Sequence, residues 1–96
     1  MILHVSMELK AGTGEDREEI SARLDAEKLA VQKMQRASRI RHIWRMPGRR
    51  ANISIFEVDD ADELQEVLSS LPLYEFLDIS VQPLARHPAS LDGDKA

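Results

Sequence analysis

Apolar residues recur at every second position in separate parts of this chain, with helical spacing in the segments between them. That order of periods constrains the fold more than any other feature. At the start, Met1, Leu3, Val5, Met7 and Leu9 alternate with Ile2, His4, Ser6, Glu8 and Lys10, as in a strand with one face on a core. "AGTGED" breaks the alternation with two glycines, and Thr13 or Gly14 stands where a helix cap belongs. Residues 15–37 are dense in strong helix formers, with acids at the start and Lys33, Arg36 and Arg39 near the end, as the helix dipole favours. Strands are predicted at about 40–46 and 51–58, joined by the Pro47-Gly48 turn. Asp59 or Asp60, with Glu63 as capping-box partner, opens a helix that points Ala61, Leu64, Val67, Leu68 and Leu71 inward before Pro72 stops it. A last strand is expected at about 76–82, then a polar tail.

The order β-α-β-β-α-β predicts an α+β, ferredoxin-like fold: a four-stranded antiparallel sheet with two helices on one face. Ninety-six residues leave no room for a second core, so residues 1–88 read as one domain and 89–96 as its polar tail. The helix-covered face is expected to take Leu3, Val5, Met7, Ile43, Ile53, Ile55, Leu77, Ile79 and Val81. The open face would then carry Ile2, His4, Ser6 and Glu8; His42, Trp44 and Met46; Asn52, Ser54 and Phe56; Asp78 and Ser80. Large apolar groups such as Trp44 and Phe56 are rarely left together in water. This face is therefore expected to pack on another subunit and enclose a partly polar cavity. A one-residue slip in the hairpin register would exchange its faces.

Composition excludes several function classes. Net charge is −4, which gives a nucleic-acid role no electrostatic support. The absence of cysteine rules out a disulfide framework, a thiol nucleophile and a thiolate metal site, and is compatible with the expected cytoplasmic location. His4, Ser6 and Glu8 interrupt the N-terminal strand, so it does not read as a signal-peptide core, and no run is long enough to span a bilayer.

The sharpest anomaly lies in the first helix. Ile20, Leu24, Val31 and Met34 form its apolar stripe, and the missing member of that series is Glu27. One reading is an ion pair with Arg41 or Arg45. The other is a desolvated carboxylate with a raised pKa, able to take a proton from carbon and return it at neutral pH. His42 is a second acid–base candidate. Trp44 reads as a wall of a ligand cavity. Arg45, Arg49 and Arg50 crowd the hairpin, either solvated or as a clamp for a substrate carboxylate. The three histidines share no metal-ligand spacing.

Together these residues resemble the muconolactone isomerase family. The matching segments are "MILHVSM", "DAEK" around Glu27, "RHIWR" at 41–45, "AN-S-F-V" at 51–58, "LPL" at 71–73, "DI-V" at 78–81 and "RHP" at 86–88. The resemblance implies a ferredoxin-like fold of the dimeric α/β barrel type, assembled through its sheets into rings, usually decamers. It implies no cofactor, and a small lactone as substrate. The implied reaction is the conversion of muconolactone to 3-oxoadipate enol-lactone in the catechol branch of the β-ketoadipate pathway. It assigns proton transfer to Glu27. On that chemistry His42 or Asn52 would donate to the enolate oxygen, Arg45 or an arginine of a neighbouring chain would hold the carboxylate, and Trp44, Ser54 and Phe56 would line the pocket. Two positions depart from the family pattern: Arg50 stands where an aromatic usually precedes Ala-Asn, and Glu75 where proline is frequent. Chloride-eliminating relatives share the same chemistry. A cofactor-free oxygenase would need a wider, aromatic-rich cavity, against which the four aromatics of this chain argue. A non-catalytic binding or assembly module would lock Glu27 to an arginine with no cavity beside it.

Overall fold

The structure, a computed structural model, describes residues 1–10 and 14–91. The expected turn and cap at 11–13 and tail residues 92–96 lie outside the described residues. The elements are β1 (Ile2–Leu9), α1 (Gly14–Arg36), β2 (Ile40–Arg45), β3 (Ala51–Glu57), α2 (Ala61–Ser69) and β4 (Leu77–Leu84). A short 3-10 turn over Tyr74–Phe76, which the sequence pattern does not signal, leads into β4. The strands lie in the order β2-β3-β1-β4, each antiparallel to its neighbours. This is the ferredoxin-like α+β arrangement that the order of periods predicts.

Local chemistry sets the joints. Ser38, at φ 61°, closes α1 in the left-handed region. Its N–H donates to the Gln35 carbonyl at 3.0 Å, and that of Arg39 to Met34 at 2.9 Å, the paired bonds of a Schellman ending. Pro47 and Gly48 turn the hairpin, Gly48 at φ 78°, as a type II turn requires of its third residue. The Asp60 carboxylate accepts from the Glu63 N–H at 2.8 Å, and the Glu63 carboxylate from the Asp59 N–H at 2.6 Å. Glu63 also pairs with Arg39, tying the start of α2 to the turn after α1.

The core lies between the helices and one sheet face. Leu3, Val5 and Phe56 are its most deeply buried large side chains, flanked by Met34, Ile40, Leu64, Leu68 and Leu71. Here β3 corrects the sequence reading. Leu3 pairs with Phe56, Val5 with Ser54 and Met7 with Asn52, so Asn52, Ser54 and Phe56 lie on the helix side. Ile53 and Ile55 lie on the open face, opposite Trp44 and His42 respectively. The strand holds two overlapping apolar alternations, one through Ile53 and Ile55, the other through Phe56 and Val58. The second occupies the core, with Phe56 fully buried and Val58 4% exposed. A bulge between Ile40 and His42 lets both Ile40 and Ile43 face inward with it.

The open face thus carries Ile2, Ile53 and Ile55 beside His4, Ser6, His42 and Trp44. Trp44 is 57% exposed and stacks on His42, ring centroids 5.3 Å apart. If Phe56 anchors the core as described, Phe56→Ala will cost about 3–5 kcal/mol in urea unfolding. A loss under about 1 kcal/mol, the scale of an ordinary surface change, would put Phe56 on the other face.

Candidate active site

Glu27 lies in the fourth turn of α1, on the stripe whose Ile20, Val31 and Met34 pack inward. Its side chain is partly buried, and its Oε1 accepts the backbone N–H of Leu73 at 2.9 Å. Among the described residues it has no arginine partner: Arg41 pairs instead with Glu57 at 3.1 Å. Burial raises the Glu27 pKa above the ordinary carboxylate value, and the Leu73 N–H opposes that rise in part.

The amide at Leu73 is held in place by Arg23, one turn before Glu27 on the same helix. Its guanidinium donates to the Pro72 carbonyl at 3.1 Å, pairs with Glu75, and also reaches Glu19 at 3.2 Å. It sits 5.4 Å from the centre of the Phe76 ring, within cation–π range. Glu75 therefore has a structural partner that fastens the 72–76 segment over α1.

Beside Glu27 a cleft of about 690 Å³ opens between α1 and the sheet. Ile20, Leu24, Met7, Leu9, Ile43, Leu73 and Leu77 give it apolar walls. Its polar groups are Glu27, Ser21, Asn52 and three arginines, Arg17, Arg45 and Arg50. Arg45 and Asn52 are register partners on the helix side of the hairpin. The Ser54 hydroxyl donates to the Asn52 Oδ1 at 3.2 Å, which turns the Asn52 amide nitrogen away as a donor for another partner. Among the described residues, no three His, Cys, Asp or Glu side chains gather in a way that could hold a metal ion.

The structure therefore brings Glu27, Arg45 and Asn52 to one cleft. Ser54 lies beneath it, 1% exposed, and Phe56 belongs to the core. His42 and Trp44 are on the opposite sheet face from Glu27 within one chain. Arg49 is drawn out of the hairpin cluster by Glu8, with contacts of 3.0 and 2.7 Å, whereas Arg50 lines the cleft. Sequence reasoning missed Arg17 and the Leu73 amide. Arg17 carried a signal, since a cation in an acidic first helical turn opposes the dipole. A backbone N–H carries none. Glu27 locked to an arginine without a cavity, the mark of a non-catalytic module, is not what the geometry shows.

Comparison with known proteins shows the family. Residues 1–90 match the family model described as muconolactone delta-isomerase. The chain is 39% identical over 94 residues to muconolactone delta-isomerase 2 of Acinetobacter lwoffii, covering 98% of both chains. It superposes on a crystal structure of muconolactone isomerase with a TM-score of 0.89 at 37% identity, covering 98% of each. The 5-chloro-2-hydroxyhydroquinone dehydrochlorinase of Burkholderia phenoliruptrix matches with a TM-score of 0.68 at 13% identity, covering 91% of this chain and 96% of that one, and so shares the fold.

The raised pKa of Glu27 has a consequence for stability. A carboxyl whose folded value exceeds its unfolded one binds more protons when folded. It therefore costs stability as pH rises through the window that opens at the unfolded value, near 4.5, and extends upward. Glu27→Gln keeps the oxygen that accepts from Leu73 but not the charge. Urea unfolding at a series of pH values will show the variant more stable than wild type near pH 7, the gap closing as pH falls below about 4. A gap that is constant with pH contradicts the desolvated carboxylate.

Proposed function

We propose that this chain, which belongs to the muconolactone delta-isomerase family, moves the ring double bond of muconolactone by proton transfer through Glu27. The product is 3-oxoadipate enol-lactone, and the setting is cytoplasmic catechol degradation. The hydrogen to be moved sits on the ring carbon that bears the carboxylate arm. That carbon is conjugated through the double bond to the lactone carbonyl. Glu27, ionised, takes the proton and leaves a dienolate whose charge spreads onto the carbonyl oxygen. Returning the proton to the carbon beside the carbonyl completes the shift with no change in composition.

The observation that carries this reading is a desolvated carboxylate, free of any arginine among the described residues, facing a cleft. A raised pKa brings the base closer to neutrality, where one group both accepts and returns a proton efficiently. The Asn52 amide, in the cleft lining, donates to the dienolate oxygen in this reading. Arg45 supplies a fork-shaped cation for the carboxylate arm. The apolar walls limit water around the base, which reinforces its shift.

The open sheet face supports a homo-oligomer. Its partly buried isoleucines and the His42–Trp44 stack form an apolar patch of the kind that a second copy covers. The decameric ring implied by the family resemblance is the assembly we propose.

Two experiments test these readings. Muconolactone in deuterated buffer, followed by proton NMR, will show deuterium entering the product with wild type. Glu27→Gln will lower turnover by about 100- to 10,000-fold while remaining folded; undiminished turnover would sink the assignment. Separately, Ile55→Glu will reduce the mass measured by light scattering. A wild-type protein that is already monomeric contradicts the sheet-face assembly.

A further inference from the structure

The distribution of arginines around the fold is uneven in a way that the reaction above does not require. The chain is acidic, with 17 Asp and Glu against 13 Lys and Arg, so carboxylate partners are plentiful. Outside the cleft four arginines use them. Arg23 pairs with Glu19 and Glu75, Arg39 with Glu63, Arg41 with Glu57, and Arg49 with Glu8. Inside the cleft they are not used. Arg17, Arg45 and Arg50 all line it, and among the described residues none has a carboxylate partner. Among the described residues Glu27 is the only acid in the lining, and its contact is the Leu73 amide.

Unpaired like charges around one opening repel one another. Arrangement of this kind is favourable when an anion completes it, since guanidinium groups hold carboxylates through two parallel hydrogen bonds. Muconolactone brings one carboxylate, and one arginine suffices to hold it. The cleft, at about 690 Å³, falls in the range that holds drug-sized ligands, larger than a small lactone needs. Arg17 comes from the first turns of α1, and Arg50 from the hairpin turn entering β3. They approach the opening from the helix side and the sheet side respectively.

We propose that the cleft takes unsaturated lactones carrying a second carboxylate, held by Arg17 and Arg50 while Arg45 holds the first. This rests on the lactone-isomerase reading and narrows its substrate class. The second carboxylate takes no part in the proton shift. It fixes which ring substituents are accepted, and it makes Arg17 and Arg50 specificity-determining residues.

The test uses binding rather than turnover, so its outcome is separable from that of the isomerase reading. Isothermal titration calorimetry on the full-length protein would use three saturated, unreactive five-membered lactones: a dicarboxylate and the two monocarboxylates that each lack one of its acid groups. The dicarboxylate is expected to bind about tenfold tighter than either monocarboxylate at low salt, although the protein's net charge is −4 and disfavours dianions. The double variant Arg17→Gln/Arg50→Gln is expected to shrink that advantage to about twofold or less, and Arg49→Gln, whose parent is paired to Glu8 outside the cleft, to leave it intact. A dicarboxylate that binds wild type no tighter than the better monocarboxylate overturns the proposal. So does an advantage that survives in the double variant. If muconolactone is not turned over yet the dicarboxylate preference holds, the reaction assignment fails and the anion site stands.

Discussion

A carboxylate placed where a helix would normally present leucine is the constraint on which the rest of this molecule turns. Glu27 interrupts an apolar stripe, so its charge is partly removed from water, and removal from water disfavours charge. A surface position would avoid that cost, and a nearby arginine would offset it. Among the described residues the chain uses neither. It offers one backbone N–H, from Leu73, which stabilises the anion without neutralising it. That partner exists only because the chain leaves α2 through Pro72 and folds back over α1. The fastening of this segment by Arg23, through Glu75, Pro72 and Phe76, is therefore part of the site's construction, although Arg23 does not line the cleft.

Much of this was legible in the sequence, and the limits follow from physical causes. The order of periods specified the elements and the antiparallel sheet, because helix and strand repeats differ too much to be confused over long segments. Glu27 was legible because it broke a pattern at a definite place. The facing of β3 was not. Ile53 and Ile55 offer one apolar alternation and Phe56 and Val58 another, and a strand's own sequence cannot say which one its partner will select. The selection was made by β1, whose Leu3 meets Phe56, and by the bulge after Ile40. That single reversal moved Asn52 from the open face to the cleft, and separated it from His42 and Trp44.

The hairpin arginines show the same dependence on context. Four of them lie between residues 41 and 50, and sequence spacing treats them alike. The fold sorts them by what stands across the sheet. Glu57 takes Arg41 and Glu8 takes Arg49, both at the surface, where such pairs contribute little to stability. Among the described residues Arg45 and Arg50 have no acid partner, and both line the cleft. The surface pairs matter less for their own energy than for removing two cations from competition around the opening.

The two faces of the sheet thus carry different demands on the same few strands. The helix side must leave an unfilled space next to Glu27, and an unfilled space in a small domain forgoes packing that the core cannot easily replace. Leu24 remains about half exposed at the edge of that space, a sign of burial not completed. The open side offers a compensation, because Ile2, Ile53 and Ile55 can bury further area against another copy without touching the cleft. An assembly through that face would stabilise the fold from behind the site. The cleft could then keep its volume and its unpaired charges, a separation of duties that a monomer of this size achieves less readily.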